Sequence, residues 1–333
     1  MYTFVGKKII QNKQLIGNNR PGMNSILIKL PNWMGDILFS YDLLYSLSRS
    51  FERIGVCTSH QHSRLLQIFP VPGVHVIDYP DKSWPWLDAD TASRIRNFRA
   101  DWGLLLPNSV GSALVFRRAG VSRLAGYDTE YRGFLLEKSL HPPTHRLHQS
   151  EYYLGLLRLF EAQAEVYPVE VSAHSRKASF VVIHPGASKM ERAWNLDRFI
   201  RLADALSGIG KQVMFVSGQE LPAMPYPVAV RPSLFEFAGL LKECALFVGN
   251  DSGPLHLAQQ CGAPVVGIYG PGDPSVTGPR PVTPFRVVSH GFPCSPCRQR
   301  YFHECDPAPT GKPLCIETIS TQEVVRAALE LLA

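Results

Sequence analysis

The 333-residue sequence predicts an α/β protein built as two doubly wound parallel-sheet lobes, and three observations carry that expectation. Short apolar, β-branched runs alternate with helical or loop segments along the chain. Three of these runs end in a glycine-bearing loop that leads straight into a helix, the local form of a ligand-binding α/β turn. Hydrophobic residues make up 45% and charged residues 19%, the balance of a globular enzyme rather than a disordered or fibrous chain.

In the first half the apolar runs fall at 26–30, 54–57, 74–77 and 103–106. In the second half they fall at 179–184, 212–217, 245–249, 264–269 and 285–288. Periodicity lapses at 171–178, so the chain divides into lobes 23–172 and 173–333, each long enough for its own core. Residues 1–22 are polar and Gly/Asn-rich and read as a loose extension, with Met23 as an alternative start. The last segment, Thr321–Leu332, is an amphipathic helix that begins with a capping group.

The first loop is Pro31-Asn-Trp-Met-Gly-Asp36, between the strand Ser25–Leu30 and an apolar-rich helix over 37–47. Asp36 therefore stands at a helix start, at the mouth of a sheet. It suits either capping or removal of a proton from a substrate hydroxyl. The second loop follows the strand 179–184 and carries Lys189 and Arg192 ahead of a helix whose apolar residues lie at 196, 199, 200, 202, 203 and 206. A solvated cationic loop and an anion-facing one both fit it.

The third loop lies in Gly249-Asn-Asp-Ser-Gly-Pro-Leu-His256. Asp251 and Ser252 occupy N-cap places, Pro254 suits the first helical turn, and Gly253 leaves the backbone open to close approach. Such a helix end favours a phosphate or diphosphate, with His256 adding a donor. An ordinary βαβ turn, with Asp251 capping and His256 packing, is the competing reading.

Other classes of function find less support. No apolar run reaches the length of about 18 residues that spans a bilayer, and the start lacks the order of a secretion signal, so the chain reads as cytoplasmic. No G-x-G-x-x-G follows an early strand, which argues against a nicotinamide-dependent oxidoreductase. The net charge of +6 is mild. Its densest part runs from Arg117, Arg118 and Arg123 through Arg132, Lys138 and Arg146, with His141, His145 and His148, and suits an anionic acceptor or an anionic membrane face. A solvated surface loop fits equally, and nucleic acid ranks behind both because no recognition motif accompanies the charge. Cys294-Ser-Pro-Cys297, with Cys305 and Cys315 downstream, leaves a structural zinc and four free thiols both open. That proline-rich segment reads as a long loop shaping the cleft.

Leu30-Pro-Asn-Trp-Met-Gly-Asp36, His184-Pro-Gly-Ala with Arg192-Ala-Trp194, and Gly249 to His256 together resemble the three signature segments of glycosyltransferase family 9, the ADP-heptose:lipopolysaccharide heptosyltransferases. The resemblance runs from about residue 24 to the end. It implies a GT-B architecture, two Rossmann-like domains facing a central cleft, with acceptor on the first and sugar nucleotide on the second. It further implies inverting transfer of heptose from an ADP-sugar to the anionic inner core of lipopolysaccharide, needing neither metal nor other cofactor. Peripheral contact with the inner face of the membrane follows from that acceptor. Matched residue by residue, Asp36 falls on the family's catalytic base, and Asp251, Ser252, Gly253 and His256 fall on its donor diphosphate loop. Glu220 falls where the family places a carboxylate near the nucleoside, and Lys189 and Arg192 fall on the cationic donor loop. Arg192 stands where the family usually has lysine, and the two are not interchangeable. Transfer of another sugar, or a catalytically silent relative of the same fold, are the alternatives.

Overall fold

The computed structural model describes residues 24–80, 88–170, 180–294, 297 and 300–333; the expected extension over 1–22 and linker over 171–178 lie outside them. Strands covered on both faces must be apolar throughout, and this is why the sheet interiors were visible as unbroken runs. The first sheet contains β1 (Ser25–Lys29), β2 (Arg53–Thr58), β3 (Val74–Asp78), β4 (Trp102–Leu105), β5 (Leu124–Tyr127) and β6 (Lys138–Leu140), in the order β3-β2-β1-β4-β5-β6. The second contains β7 (Phe180–His184), β8 (Gln212–Ser217), β9 (Val228–Val230), β10 (Leu246–Asn250), β11 (Val265–Tyr269) and β12 (Phe285–Ser289), in the order β12-β11-β10-β7-β8-β9. Every pairing in both is parallel. Ile28 lies opposite Val56 and Leu104, and Val248 opposite Val266 and Ile183.

The two orders are the same when each sheet is counted from its own first strand. Each therefore has a topological switch point, at β1/β4 and at β7/β10, and a crevice beyond the carboxyl ends of those strands is where such sheets hold ligands. All three signature loops follow a strand that borders a switch point.

The helices are α1 (Met34–Phe39), α2 (Tyr41–Ser48), α3 (His60–Ile68), α4 (Ala89–Phe98), α5 (Val110–Arg118), α6 (Gln149–Leu154), α7 (Leu196–Gly208), α8 (Leu234–Glu243), α9 (Gly253–Gln260), α10 (Pro274–Thr277), α11 (Leu314–Glu317) and α12 (Thr321–Leu332). The helix expected over 37–47 is two helices. Ser40 separates them, and its hydroxyl donates back to the Ile37 carbonyl at 2.7 Å, a local bond that bends or breaks helices. α12 begins with a full capping box, Ser320 and Glu323 exchanging bonds with each other's backbone.

The lobes meet through α1 against α9 and α3 against α8. One buried apolar cluster runs through both, including Ile37 and Phe39 from the first lobe and Leu255 and Leu257 from the second. Asp42, 3% exposed, holds the junction. Its Oδ1 accepts the Tyr167 amide at 2.9 Å, where the chain leaves the first lobe, and its Oδ2 pairs with the Arg280 guanidinium of the second. Gln259 in turn accepts the Arg280 amide at 2.8 Å, so α9 fixes the arginine that α2 receives.

Candidate functional site

A cleft of about 1020 Å³ opens between the lobes. Asp36, Lys189, Arg192, Glu220, Asp251, Ser252, Gly253 and His256 all line it, so the structure brings every sequence-selected residue to one place. Strand topology explains the convergence. Asp36 follows β1, Lys189 and Arg192 follow β7, Glu220 follows β8, and Asp251 to Gly253 follow β10.

Asp36 lies in the first turn of α1, and burial pushes its carboxyl up to about 6. Among the described residues no hydrogen bond reaches its carboxylate, and it does not cap the helix: Trp33 holds the N-cap position without a side-chain bond. The nearby Tyr153 phenol is raised first by its own burial and then by the Asp36 charge. Asp36 is thus a carboxylate kept close to neutrality's threshold by desolvation rather than by a partner.

Asp251 differs from its expected place. It does not cap α9; Ser252 is the N-cap residue, also without a side-chain cap, and its hydroxyl donates to the Asn250 carbonyl at 3.1 Å. The Asp251 side chain is 3% exposed and turns to the Arg192 guanidinium, with the Thr277 hydroxyl donating to its other oxygen at 3.3 Å. Burial raises its carboxyl, and Arg192 opposes that rise. Arg192 is therefore committed to a protein carboxylate. Its Nε is buried and has no partner among the described residues.

Gly253 lines the cleft, and its lack of a side chain also serves a second contact. A Cβ there would stand 2.6 Å from Met34 Cε, and one on Gly35 would stand 3.2 Å from His256 Cδ2. The two glycines let α1 and α9 close on each other, which sets the candidate base beside the anion-suited turn. His256 is 7% exposed beside the Phe39 ring at 4.5 Å, and burial pulls its imidazole down to about 3. It is a neutral imidazole at physiological pH, with Nδ1 lacking a partner among the described residues. Lys189 is exposed, its ammonium 5.2 Å from the Tyr301 ring, and Glu220 is exposed on the rim beyond β8.

Several residues that organise the cleft were not singled out in the sequence. Asn250 accepts the Trp194 amide at 2.9 Å and donates to the Pro185 carbonyl at 2.8 Å, stitching the loops after β7 and β10 together. Its signal was an amide at the end of an otherwise apolar strand. Thr277 secures Asp251, and Lys312, from the cysteine-bearing segment, lines the cleft while donating to the Ala193 carbonyl at 2.8 Å. Burial pulls the Lys312 ammonium down.

In the basic stretch from Arg117 to His148 several charges are taken up by the protein itself, while Arg117, Arg118, His141, His145 and Arg146 stay exposed. Arg132 is fully buried and donates from Nε to the Tyr127 carbonyl at 2.9 Å. Arg123 pairs with Glu137 at 2.9 Å, Lys138 donates to the Leu159 carbonyl at 2.8 Å, and Arg117 donates to the Leu135 carbonyl at 3.2 Å. Arg146 pairs with Asp273 at 2.6 Å and His148 bonds the Gly278 carbonyl at 3.0 Å, both across the lobe junction. Those bonded side chains tie parts of the fold together. Cys57, Cys244, Cys261, Cys294, Cys305 and Cys315 are free thiols, and burial together with Cys294, Cys297 and Cys305 pushes Cys315 up to about 11. Among the described residues no group of three or more His, Cys, Asp or Glu side chains is arranged to hold a metal ion. Nor is any helix among them long and apolar enough to cross a membrane.

Comparison with known proteins identifies the family and the fold. Lipopolysaccharide heptosyltransferase 2 of Escherichia coli (strain K12) is 26% identical over 301 residues, covering 76% of this chain and 85% of that protein. A shorter match, 29% identical over 118 residues, covers 31% of this chain and 34% of Lipopolysaccharide heptosyltransferase 3 of the same organism. The structure of E. coli ADP-heptose lps heptosyltransferase II superposes with a TM-score of 0.72 at 22% identity, over 92% of this chain and 98% of that one. The fold is accordingly that of the GT-B glycosyltransferases. Residues 90–304 match the profile of Glycosyltransferase family 9 (heptosyltransferase), and the chain belongs to that family.

Proposed function

We propose that the protein is an inverting heptosyltransferase that moves heptose from ADP-heptose to the inner core of lipopolysaccharide, without a metal ion. The observation that carries this reading is the pairing, across one cleft, of a desolvated and unbonded Asp36 with the Ser252–Gly253 end of α9. Asp36 takes the proton of an acceptor hydroxyl as that oxygen attacks the anomeric carbon from the side opposite the leaving group. The bond from that carbon to the diphosphate breaks, and ADP departs with the electron pair. Direct displacement inverts the anomeric configuration.

The negative charge that grows on ADP meets the positive end of α9, the neutral His256 and the Lys189 ammonium. Asp251 positions Arg192 rather than touching the donor, and the Arg192 Nε remains to donate. Glu220 is placed to accept hydroxyl bonds from the nucleoside. The names of the curated relatives support heptose and lipopolysaccharide as donor sugar and acceptor class. Such an acceptor is carried on the inner membrane, so the reaction would occur at its cytoplasmic face, with the protein in peripheral contact.

The test is release of ADP from ADP-heptose in the presence of deacylated core oligosaccharide, run beside UDP- and GDP-sugars and NAD. Turnover confined to ADP-heptose is the expected result. Turnover with another nucleotide sugar would reassign the donor, and binding without any turnover would make the protein a silent relative.

A further inference from the structure

The first-lobe wall of the cleft carries two rings that the transfer step leaves unused. Trp33 lines the cleft and yet is 71% exposed. An indole held in water at the rim of a binding cleft is a large apolar surface in want of a partner.

Its backbone is not loose. The buried Lys29 ammonium donates to the Leu30 carbonyl at 2.9 Å and to Asn32 Oδ1 at 3.2 Å, pinning the loop just before Trp33. The Trp33 carbonyl then accepts the Ile37 amide at 3.0 Å, which fixes it to the first turn of α1. Asp36 is three residues on, a spacing that sets neighbours on one side of a helix, and both side chains reach the cleft. His62 of α3 lines the same wall, its Nδ1 3.0 Å from the Ser59 hydroxyl, which orients the imidazole ring.

The lining on this side thus combines one broad apolar plate, Trp33, with the polar side chains of His62 and Asp36. A lipid chain would want a wider dry surface than a single indole. A pyranose ring presents an apolar C–H face rimmed with hydroxyls, which suits an indole accompanied by an imidazole and a carboxylate. We infer that Trp33, flanked by His62, is the acceptor-sugar subsite, stacking on the ring whose hydroxyl is offered to Asp36. This rests on the transferase reading above and deepens it by assigning where the receiving sugar lies.

The experiment compares wild type with Trp33→Ala and Trp33→Phe, using deacylated lipopolysaccharide core oligosaccharide as acceptor and calorimetry with ADP as a separate readout. Trp33→Ala is expected to raise the acceptor KM roughly tenfold or more while the Kd for ADP stays unchanged. Trp33→Phe keeps an aromatic plate and is expected to recover KM to within about threefold of wild type. An unchanged acceptor KM in Trp33→Ala overturns the subsite, as does an equal weakening of ADP. Should wild type release no ADP from ADP-heptose, the transferase reading fails by itself. Calorimetric titration of the oligosaccharide into the ADP complex then decides the subsite alone: heat lost in Trp33→Ala supports it, and equal or absent heat in both proteins overturns it.

Discussion

Asp36 and Asp251 stand at matching kinds of place, each just past a strand that borders the switch point of its sheet, and each carboxyl is raised chiefly by burial. Their surroundings then diverge. Asp251 has the Arg192 guanidinium and the Thr277 hydroxyl, whereas no hydrogen bond from a described residue reaches the Asp36 carboxylate. A buried carboxylate with a counter-ion is an element of architecture; one without is a group waiting for a proton. On the proposed reading, that difference gives proton removal to the Asp36 side of the cleft and makes Asp251 a positioning group, and it is open to direct test.

The largest effect is expected at Asp36. Asp36→Asn keeps the shape and removes the basic oxygen, so transfer should fall by about 10²–10⁴ while ADP binding holds. Transfer near the full rate would erase the contrast between the two carboxylates. Next comes the pair in the second lobe. Arg192→Met strands the buried Asp251 charge and should lower unfolding stability by about 3 kcal/mol, whereas adding Asp251→Asn should restore much of it. Chemical denaturation of the single and double variants reads this, and strictly additive losses would show that the two side chains do not act together.

The smallest effect is a pH dependence. Asp36 must be ionised to accept a proton, so kcat/KM should fall about tenfold per unit below a pH of about 6. The remaining activity of Asp36→Asn should lack that limb. Stability moves the opposite way. The folded-state value of about 6 lies above the ordinary 3.8, so the fold favours the neutral acid, and this contribution is lost as pH rises through about 6. At neutral pH Asp36→Asn should therefore melt at or above the wild-type temperature.

Much of this was legible in the chain because parallel interior strands are long, apolar and unbroken. β5, β6 and β9 escaped notice since they have three or four residues each, and β6 is Lys-Ser-Leu, which carries no apolar signature. The three loops could be found because glycine, proline and acidic residues cluster where a strand turns into a helix. Their partners could not. Nothing local to Asp251 shows that Arg192, 59 positions away, will claim its side chain. The basic stretch shows the same limit: a count of charges is blind to burial, and Arg132 lies wholly inside. Sequence thus located the cleft, while the pairing of charges within it required the tertiary arrangement.

Asp42 has a mechanical consequence. Because one carboxylate grips both the departing strap at Tyr167 and Arg280 on the opposite half, it acts as a pivot pin with two grips. Any swing of the halves about that strap must either carry Arg280 along or tear it from a dry ion pair. Widening of the gap would then proceed by a release over a threshold, as a latch does, and not by a smooth glide.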